Sequence, residues 1–182
     1  ILEIILQQCI KSGFRNYFIS VNYLKEQIME YFGDGSYWGV NIQYLEENQP
    51  LGTAGALSQL HKTLTQTLLV INGDVLTRAD YRSLLRFHRE QNASVTLCVH
   101  EDETRIPYGV VTSKDYQMET IQEKPVISHN IIAGIYALEP DMLKLLPSNQ
   151  FCDMPDLIEM GKEQCKSVFV FPIHEYWQDI GH

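Results

Sequence analysis

Segments with a helical period and short apolar runs take turns from residue 2 to residue 100, and that alternation limits the fold more than any single motif does. Residues 2–12 place apolar side chains at Leu2, Ile5, Leu6, Cys9 and Ile10, and Gly13 supplies a stop. Residues 17–21 read as a buried strand, 24–32 as a second helix, and 40–45 as a strand after the turn-rich Gly33-Asp34-Gly35-Ser36. A helix over 55–65, a strand over 68–71, a helix over 81–91 and a strand over 94–100 continue the series. Strands spaced this way are joined by right-handed helical crossovers, which predicts an α/β domain with a largely parallel sheet.

The rhythm changes after Pro107. Residues 108–112, 118–122 and 131–138 are strand-like with short connections, so an antiparallel excursion is expected before helices at 141–146 and 154–163 and a last strand at 167–172. The 182 residues suit a single domain large enough to bury its own core. The chain begins at Ile1, already in a helical pattern, and stops one residue after Gly181, so a fragment truncated at both ends is expected.

Charge narrows the partners. With 14 Lys and Arg against 23 Asp and Glu, the net charge of −9 argues against a nucleic-acid backbone or an anionic membrane. No apolar stretch reaches membrane-spanning length and no signal peptide opens the sequence, so a soluble, cytoplasmic protein is expected. Cys9, Cys98, Cys152 and Cys165 form no metal-ligand spacing, which suggests reduced, mostly buried thiols. A homo-oligomer and further domains outside these residues are left open.

Asn72-Gly73-Asp74 follows the apolar run 68–71, and a carboxylate at the end of a buried strand sits where open α/β sheets carry their chemistry. Asn-Gly is also a strong hairpin signal, but a helix-like stretch follows rather than a pairing strand. Asp179, in Trp177-Gln178-Asp179-Ile180-Gly181, ends a second strand-like run. Two such carboxylates can hold one Mg²⁺ and, through it, the phosphates of a nucleotide.

Pro50-Leu51-Gly52-Thr53-Ala54-Gly55-Ala56 joins a strand to a helix. Its small residues let backbone N–H groups approach a base or ribose, although an ordinary tight turn uses the same residues. Glu123-Lys124-Pro125 sets an acid beside a base at a strand end. On a strand the two side chains leave opposite faces, as a solvated pair would; alternatively Glu123 accepts from a sugar hydroxyl while Lys124 neutralises a phosphate. Gly109, in Tyr108-Gly109-Val110, either bares backbone to a sugar ring or marks a bulge.

Taken in order, these segments resemble the sugar-phosphate nucleotidyltransferases, the NDP-sugar pyrophosphorylase family. The resemblance runs through Tyr31-Phe32-Gly33-Asp34-Gly35-Ser36, Leu51-Gly52-Thr53-Ala54-Gly55-Ala56, Asn72-Gly73-Asp74, Tyr108-Gly109-Val110, Glu123-Lys124-Pro125, Ala133-Gly134-Ile135-Tyr136 and Trp177-Gln178-Asp179-Ile180-Gly181. It implies a three-layer α/β/α Rossmann-like fold with a mostly parallel mixed sheet, here lacking its first strand and loop. It implies that Asp74 and Asp179 chelate Mg²⁺ and, with Lys124, carry the catalysis. Leu51, Gly52, Thr53, Gly55, Asn72 and Gly73 would contact the nucleotide, and Gly109, Glu123 and Lys124 the sugar 1-phosphate. The implied substrates are a nucleoside triphosphate and a sugar 1-phosphate, whose oxygen attacks the α-phosphorus in line while pyrophosphate leaves. The Leu-Gly-Thr-Ala-Gly form of the loop is most similar to mannose-1-phosphate guanylyltransferases and their heptose relatives, which points to GTP and a manno-configured sugar.

Two departures bear on that expectation. The family's glycine-rich triphosphate loop and Pro-Lys pair do not occur in these residues, so the fragment itself is expected to be inactive or crippled. Ile132 stands where the family commonly has Asn, and isoleucine cannot hydrogen-bond a sugar hydroxyl. A non-catalytic relative that binds nucleotide or sugar phosphate as a regulatory subunit is the alternative. A glycosyltransferase is disfavoured because Asn72-Gly73-Asp74 lacks the Asp-x-Asp pattern of that class.

Overall fold

The computed structural model describes residues 1–181. In chain order it contains α1 (Leu2–Lys11), β1 (Asn16–Val21), α2 (Lys25–Phe32), β2 (Asn41–Glu46), β3 (Leu68–Ile71), β4 (Val75–Thr77), α3 (Tyr81–Glu90) and β5 (Val95–Arg105). Then follow β6 (Gly109–Lys114), β7 (Gln117–Glu123), β8 (Val126–Leu138), α4 (Pro140–Leu143), α5 (Met154–Glu163), β9 (Val168–Ile173) and β10 (Trp177–Asp179). No helix among the described residues is long and apolar enough to cross a membrane.

The main sheet has the order β3-β8-β5-β9. Strands β3, β5 and β9 run the same way and β8 runs against them, so the sheet is mixed with most strands parallel in direction. The pairing is less parallel than the alternation suggests. β8 lies between β3 and β5, so both of its ladders are antiparallel and only β5–β9 is parallel. The cause is the excursion after Pro107: the chain leaves along β5 and returns along it as β8, from Arg105↔Val126 to Val95↔Leu138. At the far end of this arm β6 and β7 form an antiparallel hairpin. β1 and β2 pair in parallel as a separate sheet.

Alternation along β8 divides the core. Ala133, Ile135 and Ala137 point into one layer with Ile5 and Cys9 of α1, Tyr81 and Leu84 of α3, and Cys98 and Ile173. Tyr136 and Leu138 point into the other with Met142 and Leu143 of α4, Met154, Leu157 and Ile158 of α5, and Ala56 and Leu60. Helices therefore cover both faces, the α/β/α layering expected of a doubly wound sheet.

Local chemistry starts and stops the helices. Asp80 caps α3 by accepting from the Arg82 and Ser83 N–H groups, and Asp153 and Asp156 form a capping box on α5. The helix expected over 55–65 is instead a 3-10 turn over Gly55–Leu60, because its entry is drawn against the 150–153 segment: the Ala54 and Gly55 N–H groups both donate to the Cys152 carbonyl. The helix expected over 141–146 is confined to Pro140–Leu143.

Candidate active site

β3 ends at Ile71, and the chain turns through Asn72-Gly73-Asp74, where the Val75 N–H donates to the Asn72 carbonyl at 3.3 Å. The Asn-Gly pair forms no hairpin with β3. The strand that follows is β4, which pairs with β10 so that Val75 faces Asp179. The Ile180 N–H donates to the Asp74 carbonyl at 3.0 Å, locking the two acidic segments together. Trp177 anchors β10 by donating from Nε1 to the Ala133 carbonyl at 2.8 Å and stacking on His100.

The two carboxylates converge over Gly181. Its N–H donates to Asp179 Oδ1 at 2.8 Å, and a Cβ at that position would stand 2.6 Å from Asp74 Oδ2 and 3.2 Å from Asp179 Oδ1. A side chain at this position would push the Asp74 carboxylate out of this arrangement. Among the described residues no cluster of three or more His, Cys, Asp or Glu side chains is placed to hold a metal. A pair of hard oxygen donors fits an ion such as Mg²⁺, which keeps several waters or substrate oxygens in its shell.

Asp74 also lines a cleft of about 900 Å³ that separates β1 from β3. Residues 17–20 form one wall and 68–74 the other; Ile5, Leu6 and Cys9 of α1 and Ala56, Leu57 and Leu60 line it as well. Gly52, Thr53, Asn72 and Gly73 open onto it, whereas Leu51 and Gly55 are buried. Asn72 is held from behind: its N–H donates to the Gly134 carbonyl at 2.8 Å. The 51–55 loop is pinned from two sides. Glu47 accepts from the Leu51 N–H at 2.9 Å and from the Ser20 hydroxyl, while Asp153 Oδ1 accepts from the Thr53 N–H at 3.0 Å and its hydroxyl at 3.2 Å.

Gly109, Glu123 and Lys124 form a second cluster at the base of the β6–β7 hairpin and do not line that cleft. Gly109 pairs with Glu123, whose Oε2 would lie 3.1 Å from a Cβ on Gly109. The opposite-face reading of Glu123 and Lys124 is corrected here. Lys124 lies just past β7 with φ +49°, which breaks the alternation and brings its Nζ to 3.9 Å from Glu123 Oε1. Both side chains are exposed, as the solvated-pair reading expects. Ile132 is 43% exposed on β8.

The fold thus gathers Asp74, Asp179, Gly52, Thr53, Asn72 and Gly73 around one region. Glu47 and Asp153 carried no sign in the sequence of a part in this site, and Gly134 and Gly181 stood there only as members of the 133–136 and 177–181 motifs. Asp153 before Met154-Pro155 carried a helix-start signal, but its reach to Thr53 spans 100 positions and left no local trace.

Residues 1–182 match the nucleotidyl transferase family throughout. The D-glycero-alpha-D-manno-heptose 1-phosphate guanylyltransferase of Aneurinibacillus thermoaerophilus is 32% identical over 174 residues, covering 94% of this chain and 75% of that protein. The UTP--glucose-1-phosphate uridylyltransferase of Synechocystis sp. is 30% identical, covering 99% of this chain and 54% of that protein. The mannose-1-phosphate guanyltransferase of Yarrowia lipolytica is 31% identical, covering 93% and 49%. Crystal structures of HddC from Yersinia pseudotuberculosis, one complexed with GMP-PN, superpose with TM-scores of 0.74 and 0.75 at 21% and 20% identity; they cover 99% and 100% of this chain, and this chain covers 79% and 80% of theirs. The fold is that of the nucleotidyltransferases. The chain belongs to the nucleotidyl transferase family, among the sugar-phosphate nucleotidyltransferases. It spans about half the length of the Synechocystis and Yarrowia relatives.

Proposed function

We propose that this protein transfers a nucleotidyl group from a nucleoside triphosphate, GTP in the first instance, to a mannose- or heptose-type sugar 1-phosphate, releasing pyrophosphate. The observation that supports this reading is the convergence of Asp74 and Asp179 over Gly181, with Asp74 on the cleft onto which Gly52 and Thr53 open. Asp74 and Asp179 would hold Mg²⁺, which when bound supplies positive charge against the triphosphate oxygens. The Gly52 and Thr53 backbone would receive the base. Glu123 and Lys124 would orient the sugar 1-phosphate, Lys124 by neutralising its charge. Its oxygen then bonds to the α-phosphorus as the bond to the β-phosphate oxygen breaks, and pyrophosphate leaves with that electron pair.

The cleft fits the same reading. β1 and β3 face it as unpaired sheet edges, and a strand running between them would deliver a glycine-rich loop to the 72–74 turn. Residues 1–182 contain no such loop, so turnover by these residues alone is expected to be weak.

The test is pyrophosphate release by the full-length protein with Mg²⁺, each of GTP, UTP and dTTP, and mannose 1-phosphate or a heptose 1-phosphate. GTP should be preferred, and no release with any pair overturns the reading. Asp179→Asn should lower turnover by roughly 10²- to 10³-fold with little change in melting temperature. Unchanged turnover removes Asp179 from the metal site. Lys124→Ala should raise KM for the sugar phosphate about tenfold, and an unaltered KM contradicts its role.

A further inference from the structure

We infer that Asp153 is a positioning residue for nucleotide binding, holding the 51–55 loop in its ligand-receiving shape from the N-terminus of α5. This rests on the nucleotidyltransferase reading above. Asp153 Oδ1 accepts from both the N–H and the hydroxyl of Thr53, and that hydroxyl accepts from the Met154 N–H at 2.7 Å. Thr53 has one hydroxyl proton, and it is committed here rather than to a ligand. Cys152 completes the clamp. Its carbonyl accepts from Ala54 and Gly55 at 2.9 and 3.1 Å, and its N–H donates to the Leu51 carbonyl at 2.9 Å.

Gly52 passes so close beneath this segment that a Cβ would meet the Cys152 carbonyl at 2.6 Å and Asp153 Oδ1 at 2.7 Å, at φ +75°. Among the described residues the Gly52 N–H and the Gly52 and Thr53 carbonyls take no protein hydrogen bond, so these are the polar backbone groups the loop can turn to a base. Their directions are fixed by α5, whose Met154 and Leu157 are fully buried. Asp153 therefore transmits the rigidity of the core to a loop that has no regular structure of its own. It assigns the Thr53 N–H and hydroxyl to the anchor and leaves the Thr53 carbonyl for the base.

Asp153 also caps α5, and the test separates the two roles. Asp156 accepts from the Asp153 N–H at 3.3 Å, so Asp156→Ala weakens the cap without touching Thr53. In the full-length protein, Asp153→Ala should raise the Kd of Mg·GTP, by calorimetry, and its KM by about tenfold, with kcat changing less. Hydrogen exchange of the 51–55 segment should accelerate in the same variant. Asp153→Asn, which keeps an acceptor at Oδ1, should recover most of the affinity. Asp156→Ala should lower the melting temperature and leave Kd and exchange of the loop unchanged. If Asp153→Ala does not fold, Thr53→Val carries the test, since it removes the clamped hydroxyl and leaves the Asp153–Asp156 capping box in place, freeing only the Met154 N–H. Faster exchange with an unchanged Kd overturns the inference, as does an equal rise in Kd from Asp156→Ala. A wild-type protein that binds no nucleoside triphosphate defeats the functional reading and the inference with it, and the exchange data then still show whether the clamp exists.

Discussion

Gly134 supports the 72–74 turn from below, and its backbone explains why no larger residue serves. Its φ is +69°, and a Cβ there would stand 2.9 Å from Asn72 Nδ2 and 3.0 Å from Val75 Cγ2. Gly134→Ala is therefore expected to destabilise the protein by about 1–3 kcal/mol, seen as a lower thermal midpoint, because left-handed strain adds to the collision. The tasks of such residues, though not always the residues, were hidden in the sequence for a physical reason. Asp74 was legible because an apolar run ending in a carboxylate is a local pattern. The work of Gly134, Gly181, Glu47 and Asp153 depends on segments brought together from far along the chain.

At the scale of elements, the α3 cap gives a quantitative check. The Ser83 hydroxyl donates to Asp80 Oδ2 at 2.7 Å, and the Ser83 and Arg82 N–H groups donate to Oδ1; together they hold the Asp80 carboxyl below the usual carboxylate range. A group whose folded pKa is depressed stabilises the fold above its unfolded value, and that contribution is lost as pH falls through the folded value. Asp80→Ala should thus cost about 1 kcal/mol at neutral pH, measured by denaturant unfolding. The gap from wild type should narrow below roughly pH 4. A gap that widens in acid would contradict the assignment. The helix over 81–91 was readable, as was α5, whose bounds match the expectation, but the Asp80 cap was not part of that reading. Lys124 was not: nothing in Glu123-Lys124-Pro125 announces a left-handed residue where a strand pattern ends.

Across the whole molecule, the alternating pattern located the layers but not the strand order. Periodicity reports which faces are apolar, whereas the central position of β8 is decided by which long strand returns along β5. The layering also governs thiol chemistry. Burial pushes the Cys9 and Cys98 thiols up to about 12 and raises Cys152 as well, while Cys165 is exposed. Alkylation at neutral pH, read by mass spectrometry, should modify Cys165 in the native protein and all four cysteines after denaturation. Rapid native labelling at Cys9 or Cys98 would mean that the sheet opens.

β10 is the last strand among the described residues, and the Thr77 hydroxyl meets the Tyr176 carbonyl across 99 positions. A chain emerging from the ribosome must therefore carry Asp74 unaccompanied until residues 177–181 have followed it. On the proposal that Asp74 and Asp179 share a cation, divalent-cation affinity should return late in refolding, and its return would mark the pairing of β10 with β4.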